Sequence, residues 1–164
     1  MINKTYPITE KLLKNGLKLS LKLLDQLTKE ADNLKQNVNS TTISNIAKNK
    51  KETVSQLEQF SKQLTQVLAT EKLHLTPSGI ADYFKKAETV TLNTSNSTNR
   101  WKQIISISKQ CRFLNEKNGA SINLLAQHTQ RSLHILKGKS RQATTYGPDG
   151  STYNEQISHA LVSV

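Results

Sequence analysis

TNRWKQIISISKQCRFLNEKNGASINLLAQHTQRSLHILKG, residues 98–138, decides the fold. Trp101, Ile104, Ser108, Cys111, Asn115, Asn118, Ile122, Leu125, Thr129, Ser132 and Leu136 recur in it at alternating steps of three and four. That spacing draws one stripe along an α-helix. Ile105, Leu114, Leu124 and Leu133 widen the stripe beyond a two-stranded coiled-coil line, so the face suits a bundle core or a partner helix. About forty residues at about 1.5 Å each make a rod of about 60 Å. Asn118-Gly119 falls mid-rod, where a glycine costs about 1 kcal/mol against alanine. Two readings stand for it: close helix approach beside a register-setting asparagine layer, or a weak point that lets the far half move.

Both ends carry signals. The run Asn93 to Asn99 holds side chains that compete for backbone hydrogen bonds, and its last members suit an N-cap. Lys137 lies in the last turn, where a cation complements the helix dipole, and Gly138 suits the left-handed position that ends a helix.

Upstream, residues 1–7 read as a frayed leader ending at Tyr6-Pro7. Thr9-Glu10 then opens a helix over about 8–37 on Leu13, Leu17, Leu21, Leu24, Leu27, Ala31, Leu34 and Val38, with Leu12, Leu19 and Leu23 as a second edge. Gly16 weakens its first turns. A short connection, Asn37 to Thr42, favours an antiparallel neighbour, a helix over about 42–70 with a seam of Ile43, Ile46, Val54, Leu57, Phe60, Leu64, Val67 and Leu68. Lys50 falls on that seam and can snorkel past it. Thr76 as N-cap and Pro77 at the first helical position open a third helix to about residue 88. Residues 91–99 make a polar loop, long enough for the last helix, about 98–137, to fold back antiparallel to its neighbour. The chain reads as all-α, an elongated antiparallel helical hairpin or bundle with a long C-terminal helix: one domain over residues 1–138 and a flexible tail over 139–164 too poor in large apolar groups to repay its own ordering. In that tail Tyr146-Gly-Pro-Asp-Gly150 is a turn presenting one aromatic, a low-entropy binding anchor.

Aromatic residues make up only 5% of the chain, which argues against a β fold. No apolar run approaches the eighteen or so residues a bilayer span needs, so no stable membrane insertion is expected, and the N-terminus has no signal-peptide core. A cytoplasmic protein is expected. Lone Cys111 has no intrachain disulfide partner, and His74, His128, His134 and His159 lack metal-ligand spacing, so no metal or cofactor is expected. Without a nucleophile elbow or phosphate-cradling glycine loop, the sequence also offers no catalytic set.

Arg100-Trp101, Ile104, Arg112, Leu114-Asn115, Asn118-Gly119, Leu133, Leu136, then Tyr146-Gly147 and Asp149-Gly150 occur in an order and spacing that resembles the C-terminal half of the FlgN flagellar export chaperones. The N-terminal half matches only in being long, helical and polar. The resemblance implies a chaperone that holds the hook-filament junction proteins FlgK and FlgL by their C-terminal helices before secretion. On this reading Ile122, Leu125, Thr129, Leu133 and Leu136 bind cargo, while Tyr146, Gly147, Asp149 and Gly150 dock on the export gate FlhA. Arg100 to Gly119 form the structural motif.

Charge supplies the rival. The net charge is +11. Residues 100–140 carry eight Lys or Arg against the single acid Glu116, a balance of +7. A basic helix of that kind could bind nucleic acid or an anionic surface. Its cations are spread around the helix without stacking aromatics, which favours a solvated face or acidic protein partners, and no nucleic acid is expected. A scaffold or secretion chaperone for another cargo is the third reading.

Overall fold

Two lines of α1 (Ile2–Lys35) are buried at steps of seven residues: Tyr6, Leu13, Ser20, Leu27 and Leu34 on one, Ile2, Thr9, Gly16 and Glu30 on the other, with Leu23 half-buried in the second. In α4 (Ser95–Leu136) the matching line is Ser97, Ile104, Cys111 and Asn118, with Ile107 buried and Leu114 half-buried beside it. A strict seven-residue repeat is the signature of helices that pack side by side with a slight left-handed supercoil. Hydrogen bonds fix the pairing. The Tyr6 hydroxyl donates to Ser97 Oγ at 3.1 Å, the Cys111 thiol to the Ser20 carbonyl at 4.0 Å, and Asn118 Nδ2 to the Leu27 carbonyl at 2.9 Å. Each pair is offset by 91 residues, a whole number of heptads, so α4 runs parallel to α1 in constant register.

The computed structural model that shows this describes residues 1–36, 40–137, 145–146 and 152–153. Besides α1 and α4 it contains α2 (Ser40–Thr70), α3 (Pro77–Thr89) and a two-residue antiparallel ladder of β1 (Thr145–Tyr146) with β2 (Thr152–Tyr153). The class is all-α, as expected. The chain divides into two units, Met1–Ser121 and Ile122–Val164. In the first, α2 lies antiparallel to α1: Thr5 bonds Glu71 at 2.9 Å, Gly16 meets Phe60, and Glu30 meets Lys50 at 2.9 Å. The main core joins Leu13 of α1, Phe60, Leu64 and Leu68 of α2, Ile80, Tyr83 and Phe84 of α3, and Ile104 of α4.

The N-terminus departs from the expected frayed leader. Helix α1 begins at Ile2 and carries Pro7 inside it. An interior proline removes a backbone donor and crowds the preceding turn, at about 3 kcal/mol. Tertiary anchoring offsets that cost: Ile2, Thr5 and Tyr6 are buried, and the Tyr6 hydroxyl also reaches the Asn93 carbonyl at 2.7 Å. Helix α4 starts three residues before the expected Thr98. Its first turn closes with Thr98 N–H on the Thr94 carbonyl at 2.8 Å, while the Thr94 hydroxyl donates to Glu88 at 2.6 Å.

Helix α3 starts as its sequence dictates, Thr76 Oγ1 accepting from Gly79 N–H at 3.0 Å with Pro77 following. Helices α2 and α3 stop in the same way. Lys72 and Thr91 adopt φ values of 59° and 62°, and the next N–H reaches back five residues, from Leu73 to Leu68 and from Leu92 to Ala87. Neither left-handed position is glycine; Leu73 and Leu92 pack on the core one residue further on, and that apolar contact completes the motif and stabilises the strained residue.

The two mid-helix glycines have opposite roles. A Cβ at Gly16 would sit 2.6 to 2.9 Å from three carbons of the Phe60 ring, so the absence of a side chain lets α1 and α2 close on that ring. A Cβ at Gly119 would meet nothing within 4 Å, so close approach within the fold does not explain that glycine. Gly16→Ala is therefore expected to destabilise by about 1–3 kcal/mol through overpacking, and Gly119→Ala to stabilise by up to about 1 kcal/mol through helix propensity. Urea denaturation followed by circular dichroism checks both; a stabilised Gly16→Ala would contradict the account.

Candidate protein-docking surfaces

The motif residues of α4 divide into those that hold the bundle and those left on its surface. Arg100 Nη1 reaches Glu10 at 3.3 Å, Ile104 is buried, and Leu114 packs on the Leu27–Ile107–Cys111 cluster. Asn118 is 2% exposed and donates from Nδ2 to both the Leu27 carbonyl and Glu30 Oε2, each at 2.9 Å. Glu30, 1% exposed, in turn takes Lys50 Nζ at 2.9 and 3.0 Å on its two oxygens, and Lys50 reaches Asn115 Oδ1 at 3.4 Å. This clasp joins α1, α2 and α4 in one polar layer. It realises the register-setting reading of the asparagines, and it shows Lys50 paired instead of snorkelling.

The stripe on α4 is rotated from its sequence reading. Ile104, Cys111 and Asn118 face inward as expected, but the second buried line is Ile107 with Leu114; Ser108 and Asn115 are exposed. The free Cys111 lies against α1, and burial raises its thiol above the ordinary cysteine pKa. That keeps the less reactive thiol form dominant.

Between α2 and α4 the first unit keeps an apolar trough of about 290 Å³. Its floor is Ser20 and Leu23 of α1, one wall is Leu57, Phe60, Ser61 and Leu64 of α2, and the other is Trp101, Ile104, Ile105 and Ser108 of α4. Trp101, expected as part of the motif, is half-buried at this wall, and Arg112 pairs with Glu116 one turn on at 3.0 Å. Sequence reasoning did not find this trough. Its two walls come from seams that each look complete alone.

Beyond Ser121, α4 shows another kind of surface. Ile122 and Leu125 are each 39% exposed, Leu133 48% and Leu136 82%, and Thr129 is exposed with its hydroxyl returned to the Leu125 carbonyl at 2.9 Å. Leu124 and Ile135 are exposed as well, so the apolar surface here is broader than the five residues expected to bind cargo. Ile135 was outside the predicted stripe. In the tail, Tyr146 pairs through its backbone with Thr152, and Thr145 with Tyr153, which adds a short ladder where no secondary structure was expected. Gly147, Asp149 and Gly150 lie outside the described residues.

Among the described residues no helix is long and apolar enough to cross a membrane, and no cluster of three or more His, Cys, Asp or Glu is placed to hold a metal. The arrangement offers surfaces for helices. Comparison with known proteins agrees with the motif: the sequence model of the family described as FlgN protein matches residues 5–154. The Flagella synthesis protein FlgN of Escherichia coli (strain K12) is 30% identical over 101 residues, which cover 60% of this chain and 65% of that protein. The matched stretch thus falls just short of two-thirds of the relative's length. No solved structure matches.

Proposed function

The chain belongs to the FlgN family, and from that premise we propose that it is a non-enzymatic flagellar export chaperone of the cytoplasm. Its cargo is the C-terminal helices of the junction proteins FlgK and FlgL, held on Ile122, Leu125, Thr129, Leu133 and Leu136 until the export gate FlhA receives the complex through the segment Tyr146 to Gly150. The observation that carries this reading is the solvent exposure of Leu125, Leu133 and Leu136 on a formed helix. An amphipathic cargo helix that lacks its assembly partners would cover such a stripe, anchored at steps of three and four. The relative's name refers to flagella synthesis, which fits a cargo of flagellar parts.

Cargo holding and gate docking fall on different stretches of chain, so one substitution should separate them. Tyr146→Ala is expected to leave thermal stability and cargo affinity within about twofold of wild type, yet to weaken gate binding by about 2 kcal/mol or more, as loss of an aromatic anchor does, and to abolish secretion of FlgK and FlgL. Both affinities are measured on the same variant by calorimetry, with secretion followed in culture supernatants. Equal weakening of cargo and gate would place the tail in the cargo site. No change in either would reduce the segment to a turn.

A further inference from the structure

Three long helices make up most of the first unit, and α2 and α4 both rest on α1 while leaving the trough between them open. We propose that this trough docks one amphipathic helix of a partner protein, acidic along one edge, which lies against α1 as the fourth member of the bundle. The surface belongs to Met1–Ser121 and shares no residue with the stripe assigned to cargo, so it stands independently of the function proposed above.

Shape points to a helix. The walls are two antiparallel helices, and four-helix bundles place a helix in the cleft that three leave open. The Lys50–Asn115 bond ties α2 to α4 one turn past Cys111, and Leu75 lines the trough at the Trp101 end. On α4 the lining runs from Trp101 to Cys111, about 15 Å at about 1.5 Å per residue, room for nearly three helical turns. Apolar surface continues past the rim, since Ile105 on one lip is 40% exposed and Val54 on the other 39%. A small apolar molecule would fill the trough and leave both lips wet, whereas a helix covers them.

Charge selects the kind of helix. Lys102, Ile105, Lys109 and Arg112 follow one another at steps of three and four, so three cations bracket the exposed isoleucine along the α4 lip. Arg112 is partly balanced by Glu116 at 3.0 Å, and all of these charged residues are exposed. On the α2 lip, Val54, Glu58, Ser61 and Thr65 make the corresponding line with one charge. Acidic residues on the α4 side of the guest complement this field, and a basic helix is repelled. The same field disfavours a second copy of this chain, because its own exposed segment Ile122–Leu136 carries Arg131 and no acidic residue.

Trp101 is the single tryptophan of the chain and lines the trough, so its fluorescence reads occupancy. The full chain is titrated with a tryptophan-free, eighteen-residue peptide of leucine, alanine and glutamate patterned as an amphipathic helix, and with its lysine counterpart. A saturable change in Trp101 emission is expected with the acidic peptide, at least tenfold tighter than with the basic one. Ile105→Asp, at an exposed position that leaves helix content intact, should weaken the acidic peptide at least tenfold. Lys102→Glu with Lys109→Glu should reverse the preference. Equal affinity for both peptides, binding that survives Ile105→Asp, or no Trp101 response overturns the proposal, as does a Trp101 shift that tracks self-association on sedimentation.

Discussion

Lys50→Met is expected to lower the free energy of unfolding by about 3 kcal/mol, one of the two largest effects foreseen for a single substitution. The ammonium is the only cation paired with Glu30 among the described residues, and the carboxylate it serves is 1% exposed at the centre of three helices. Without it, Glu30 keeps the 2.9 Å bond from Asn118 and little else, and breaking a buried pair from one side typically costs about 3–5 kcal/mol. The lower end applies because the Lys50 side chain is itself 22% exposed and has less desolvation to recover. Glu30→Met together with Lys50→Met and Asn118→Leu should regain most of the loss, since no charge is then stranded. That triple variant should also lose definition, with a weaker near-ultraviolet dichroism, because the buried polar layer that helps set the register of α4 on α1 is then gone. Urea denaturation decides the first point. A loss under about 0.5 kcal/mol for Lys50→Met would mean that the clasp contributes little to stability.

The clasp also marks where sequence reading ran out. Four helices, the Thr76–Pro77 start of α3 and the inward face of Ile104, Cys111 and Asn118 follow from spacing and capping chemistry that act locally. What spacing missed are the small and polar members of the two buried lines of α1. A reading that follows leucines chose Leu17, Leu21 and Leu24, but Leu21 is 50% exposed while Thr9, Gly16, Ser20 and Glu30 are buried. Small and polar residues stand at these positions because partners approach closely there: Phe60 over Gly16, the Cys111 thiol at the Ser20 carbonyl, and Lys50 and Asn118 on Glu30. Each looks like a flaw in an apolar stripe until its partner from another helix is known. Pro7 misled in the same way, since its local cost was legible and the burial of Ile2 and Tyr6 around it was not. The stripe proposed to hold cargo is the opposite case: its residues could be named from the sequence, but only exposure distinguishes an open face from an internal core.

That distinction sets the second large effect. Leu133→Asp should leave the fold within about 0.5 kcal/mol of wild type, as surface substitutions usually do, because Leu133 is 48% exposed on a formed helix. Ile104→Asp, at a site 5% exposed within the main core, should unfold the first unit and serves as the contrast. With the fold intact, Leu133→Asp places a carboxylate where the cargo helix would bury a leucine, and an unpaired charge in an apolar contact is poorly tolerated. Loss of a central anchor typically costs about 2–4 kcal/mol, so affinity for the C-terminal helices of FlgK and FlgL should fall by about thirtyfold to a thousandfold. Leu125→Asp should act alike, being two turns away on the same face. Calorimetric titration with cargo fragments, beside a circular dichroism melt of each variant, gives both halves of the answer. A melt as low as that of Ile104→Asp would show Leu133 to be part of a core, whatever its exposure in isolation. An unchanged affinity with an unchanged melt would move cargo off this stripe.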